Sequence, residues 1–63
     1  MRKKLGEIKA PSKITYHVHW DQNSREVWVE KPIVFGGRLQ KCPAKANSAQ
    51  DAMHIASAFL HDK

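Results

Sequence analysis

The residues of this 63-residue chain best suited to chemistry are four histidines, one cysteine and two tryptophans. His17 and His19 stand two apart in an alternating stretch, so on a strand both imidazoles project from one face. Two such rings could contribute to a metal site, but a tetrahedral site takes about three or four protein ligands. His54 and His61 are separated by two helical turns, too far for one ion. Cys42 is the only thiol, and no CxxC or HxxxH spacing exists. As a nucleophile it lacks an identifiable base and reads as a small strand residue. Gly36-Gly37 has neither the lysine nor the following helix of a phosphate-cradling loop. The reading is a non-enzymatic chain without metal or cofactor. One catalytic alternative is RNA cleavage in which His17 or His19 moves a proton beside Arg38.

Charge points elsewhere. The formal net charge is +5 at pH 7, and it is unevenly spread. Residues 1–13 hold Arg2, Lys3, Lys4, Lys9 and Lys13 against Glu7 alone, whereas residues 14–63 hold six basic residues against five acidic ones. The excess therefore sits in an N-terminal segment that reads as a flexible arm. Gly6 argues against a stable helix there, and Pro11-Ser12 punctuates its end. A basic arm can hold phosphates through counterion release, or simply keep the protein in solution.

The elements that must position these groups follow from periodicity. Ile14, Tyr16, Val18 and Trp20 alternate with polar residues, as on a strand with one face against a core. Asp21 to Arg25 reads as a polar turn, and Glu26-Val27-Trp28-Val29-Glu30 as a second strand. Lys31-Pro32 interrupts the ladder, since proline cannot donate. Ile33-Val34-Phe35 resumes an extended run, Gly36-Gly37 makes a tight turn, and Arg38 to Cys42 returns as a third strand ended by Pro43. Asn47 or Ser48 caps a helix whose stripe is Ala49, Ala52, Met53, Ala56, Phe59 and Leu60. The predicted fold class is α+β: a three-stranded antiparallel sheet packed on one C-terminal helix (β-β-β-α). Residues 1–13 form its basic arm and residues 14–63 the single domain.

A single helix covers one face of a sheet. With Ile14, Tyr16, Val18, Val27, Val29 and Leu39 toward the helix, the bare face carries Thr15, His17, His19, Glu26, Trp28, Glu30, Arg38 and Gln40. Trp28 is the informative residue, because a solvent-facing indole exposes apolar area of the kind enriched at binding sites. Two structural readings compete: Trp28 in the core with the valines outward, or Leu5 and Ile8 of the arm folded back over it.

The run Val18-His19-Trp20-Asp21, the polar turn and Val27-Trp28-Val29 resemble the strand pair of the three-stranded-sheet DNA-binding domains of plant ethylene-response factors, whose relatives occur in phage integrases and homing endonucleases. Gly36-Gly37-Arg38-Leu39 is similar to that family's second turn and third strand, and Ser48 to Phe59 to its alanine-rich packing helix. The resemblance spans residues 14–60 and implies a sheet face that enters the major groove. Here that face includes Glu26 and Glu30 where the family is rich in arginine.

At this length there is room for one core. No apolar segment follows the basic start to make a signal peptide, and none approaches the roughly 20 residues of a membrane span. The expectation is a cytoplasmic protein that does not act at a membrane. Its first functional reading is a nucleic-acid-binding accessory protein for DNA or RNA, with Arg2, Lys3, Lys4, Lys9 and Lys13 on phosphates. Arg38, Lys41 and Lys45 extend that footprint, and His17, His19 and Trp28 meet the groove or an unstacked base. The alternative is a phage- or mobile-element-type modulator that binds a host or partner protein, or a homodimer, through the face around Trp28.

Overall fold

The computed structural model describes residues 2–62, with the backbone alone at residue 35. Four strands, β1 (Arg2–Lys9), β2 (Thr15–Asp21), β3 (Glu26–Glu30) and β4 (Leu39–Lys45), are followed by helix α1 (Ala49–Phe59). The strands form one antiparallel sheet in the order β1-β2-β3-β4, with α1 across one face. The α+β class and the lone C-terminal helix match expectation. The sheet, however, has four strands, and the segment read as a flexible arm supplies the first of them.

The reason lies in a bulge. Lys4 pairs with His19 and Gly6 with Val18, so Leu5 is an extra residue that breaks the period of two. A three-residue spacing of Leu5 and Ile8 looks helical in sequence, yet across this bulge both side chains pack against the core. Gly6 faces the same way, with Met53 in van der Waals reach of the position a Cβ would take.

Tyr16, Val18, Val27 and Val29 are buried beneath α1, which contributes Ala52, Ala56 and Leu60, and Ala10, Cys42 and Ala46 close the core. Small residues on the helix allow its axis to approach the sheet, and the larger Ile8, Ile14, Trp20, Met53, Ile55 and Phe59 fill the margins. Trp20 also donates from Nε1 to the Ala46 carbonyl at 3.3 Å, fastening β2 to the segment that leads into the helix. Ser48 is the N-cap: its hydroxyl accepts from Asp51 N–H at 3.2 Å, while Asn47 N–H donates back to the Asp51 carboxylate at 3.4 Å. Ala49, expected in the apolar stripe, is exposed.

Three local expectations are corrected. Ile33–Phe35 is a turn of 3-10 helix rather than an extended run, ended by Gly36 and Gly37 at φ of 110° and 57°. A Cβ at Gly37 would lie 3.3 Å from Ile33 Cα, so the coil is closed only by glycine there. Strand β4 emerges from this coil one residue out of the expected phase. Gln40 opposes the buried Val29, and Leu39 opposes Glu30 on the other face, where it is 38% exposed. The strand also runs through Pro43 to Lys45. An edge strand tolerates proline where the ladder is irregular, and the register does shift between Glu26 and Trp28.

Candidate functional site

The face opposite α1 is covered by no other element of the described chain. Pairing sets its side chains in transverse rows, because residues opposite one another in an antiparallel ladder share a face. Lys4, His19, Trp28 and Lys41 form one row across all four strands. Glu7, His17, Glu30 and Leu39 form the next. Toward the Asp21–Arg25 turn lie Arg2, opposite Asp21, and Lys45, opposite Glu26. Lys9, opposite Thr15, ends the face on the far side.

Trp28 points to this face, as the alternation implied, and β1 is the outer strand of the sheet rather than a cover over it. Its indole is nevertheless roofed by side chains. Arg2 sits over the ring with its guanidinium carbon 5.4 Å from the centroid, and the Lys41 ammonium lies 5.9 Å away. Both distances are within cation–π range. Trp28 is half-buried, and its Nε1–H is buried without a hydrogen-bond partner among the described residues. A buried unpaired donor costs about 1–3 kcal/mol relative to a paired one. A depression of about 220 Å³ on this face is lined by Arg2, His19, Glu30 and Leu39.

Each glutamate of the face is engaged. Glu7 Oε2 lies 3.4 Å from both Lys4 Nζ and His17 Nδ1. His19 Nε2 donates diagonally to Glu30 Oε1 at 3.0 Å. Glu26 takes hydrogen bonds from Lys41 and from the Ser24 hydroxyl, and these hold its carboxyl below the usual 4.5. Arg2, Lys9 and Lys45 have no ion-pair partner among the described residues. The face thus carries the basic side chains of Arg2, Lys4, Lys9, Lys41 and Lys45 against the carboxylates of Glu7, Asp21, Glu26 and Glu30, a small formal excess of positive charge.

Of the residues singled out from sequence, Arg2, Lys4, Lys9, His17, His19, Trp28, Lys41 and Lys45 come together here. Lys3 opposes Trp20 and lines a recess with Leu5, Gln22 and Ala49 on the helix side. Lys13 lies in the β1–β2 turn at φ 72°, and Arg38 precedes β4, where its carbonyl accepts from Lys31 N–H. Those three stand apart from the face, and Gln40 belongs to the opposite one. Sequence reasoning missed Glu7 as the partner of His17, since pairing it required a first strand. It also missed the exposed tip of the β3–β4 connection, where Ile33 is 90% and Val34 81% exposed.

The other chemistry-bearing groups lie elsewhere. Cys42 is buried under the helix, and desolvation pushes its thiol up to about 11, leaving little thiolate at neutral pH. His54 and His61 line an open groove of about 650 Å³ between α1 and Ile8 of β1, with no lysine or arginine in its walls. Among the described residues no three His, Cys, Asp or Glu side chains group as a metal site, and no helix is long and apolar enough to cross a membrane. No protein-family model, curated protein or solved structure matches this chain.

Proposed function

We propose that this chain is a small, non-enzymatic nucleic-acid-binding accessory protein that uses its basic first strand and the uncovered sheet face. The observation that carries this reading is the row Lys4, His19, Trp28 and Lys41, with Arg2 lying over the indole. An aromatic ring set among cations on a flat face suits a ligand that offers both π-faces and phosphates. Glutamates on such a face repel phosphates, but Lys4 offsets Glu7 and Lys41 offsets Glu26, and with Arg2, Lys9 and Lys45 the basic residues of the face outnumber its carboxylates.

Fluorescence anisotropy of labelled DNA and RNA oligonucleotides, titrated with the full chain at about 50 mM salt, tests this. Binding is expected to weaken steeply as salt rises, and the variant carrying Arg2→Gln, Lys4→Gln and Lys9→Gln to show a shallower salt dependence. No association with any oligonucleotide at low salt would refute the reading.

A second reading draws on a different observation. Ile33 and Val34 project from the β3–β4 connection with Lys31 and Arg38 on either side, an apolar tip of the kind that seats in a protein pocket. A host or partner protein bound through that tip would survive nuclease treatment in a pull-down and be lost in Ile33→Ser with Val34→Ser.

A further inference from the structure

Resting on the nucleic-acid reading above, we infer that the ligand is a single strand, with a base stacked on Trp28 and flanking phosphates held by Arg2 and Lys41 once they move off the ring.

The fourth strand carries the argument. Neighbouring strands lie about 4.8 Å apart, so four of them place about 14 Å between the outer strand axes before side chains are added. The major groove of B-form DNA is about 12 Å wide and admits a helix or a two-stranded ribbon. A chain whose Cα envelope measures 30 × 20 × 18 Å cannot lower this face broadside into that groove. Trp28 lies on an inner strand, with Lys41 outboard on one side and His19 and Lys4 on the other, so an edgewise approach does not bring it to base edges either. In a duplex the π-faces are consumed by stacking, and only a single strand offers them.

The surroundings of the ring agree with a base as its occupant. Two cations already occupy the π-system, at 5.4 and 5.9 Å. Both are long side chains on exposed positions of the two outer strands; among the described residues Arg2 has only the ring to exchange for a phosphate beside a stacked base, whereas Lys41 must also release Glu26. The buried Nε1–H has no acceptor among the described residues, and a base carbonyl or phosphate oxygen supplies one when that roof shifts. His19 next to it is held to Glu30, which keeps a flat imidazole beside the stacking position.

The test compares single-stranded DNA, single-stranded RNA and the annealed duplex of one mixed sequence of about 12 nucleotides. It uses the full chain with Trp20→Phe, so that Trp28 alone reports by fluorescence. Expected are quenching of Trp28 by a single strand and affinity at least tenfold above that for duplex. Trp28→Leu should lose about tenfold with an unchanged salt slope, and Trp28→Phe should keep affinity within a few-fold. Circular dichroism melting shows whether each variant is folded at the titration temperature, and the Phe variant keeps the comparison valid if the Leu variant is not. Equal or tighter binding to duplex overturns the single-strand assignment and leaves the nucleic-acid function standing. Absence of binding to all three overturns both. Single-strand binding without quenching, or with full affinity in folded Trp28→Leu, removes Trp28 as the stacking platform.

Discussion

Arg2, near the start of the outermost strand, lies over the ring of Trp28 on the third strand, with its guanidinium carbon 5.4 Å from the indole centroid although β2 runs between them. The contact joins the most basic segment of the chain to its most informative aromatic residue. It exists only because residues 2–9 pair as a strand, which brings Arg2 opposite Asp21 and within reach of the ring.

Arg2→Ala removes half of that roof. An exposed cation–π contact is worth about 0.5–1 kcal/mol, so the denaturation midpoint should fall only slightly. The emission of Trp28 should shift to longer wavelength as water reaches the ring, read in a Trp20→Phe background. An unshifted spectrum would mean that Arg2 does not shield the indole in solution.

Deletion of residues 2–9 distinguishes a strand from an arm. Loss of an arm would lower the salt dependence of binding and leave the fold intact. Loss of β1 strips Leu5 and Ile8 from the margin of a small core and exposes the edge of β2. The truncated chain is therefore expected to lose cooperative thermal unfolding by circular dichroism, whereas Lys3→Gln with Lys9→Gln should melt within about 1 kcal/mol of the parent.

Stability should decline in acid partly through Glu26. Hydrogen bonds from Lys41 and Ser24 hold its folded carboxyl below 4.5, so the folded state binds fewer protons than the unfolded one around that pH. The contribution is complete above pH 4.5 and is lost as pH falls through the lower folded value. Urea midpoints across this range should drop less steeply in Glu26→Gln than in the parent. Equal slopes would show that the Lys41 contact carries no linkage in solution. The site is solvent-accessible, and the effect should shrink with added salt.

Much of the fold is legible in the sequence because period and chemistry agree. The alternation through Tyr16, Val18, Val27 and Val29 assigns the buried face, and that assignment fixes Trp28 on the other. Ser48 and Asp51 mark the helix start by their capping chemistry. The illegible parts are those where one residue of backbone irregularity changes the phase. A bulge at Leu5 disguises a strand as an arm, since neither a period of two nor one of 3.6 survives it. The coil at Ile33–Phe35 consumes residues that look extended and returns β4 in the opposite phase, exchanging Leu39 and Gln40 between faces. Lys13 and Arg25 adopt positive φ, at 72° and 64°, where sequence preference names glycine or asparagine, so neither turn announces its geometry. For the site, residue types were sufficient to nominate the histidines, the indole and the cations. Their pairing into rows, and the partners of Glu7, Glu26 and Glu30, required the register.

The most direct measurement follows the amide and indole N–H resonances of the full chain during titration with a single-stranded oligonucleotide at low salt. Shifts should concentrate on Arg2, Lys4, His19, Trp28 and Lys41, with the Trp28 indole N–H moving as it gains an acceptor, while the outward residues Gln50, His54 and Ser57 of α1 stay in place. Shifts confined to the helix, or to the Ile33–Val34 tip, with the Trp28 indole unmoved, would contradict binding at the uncovered face.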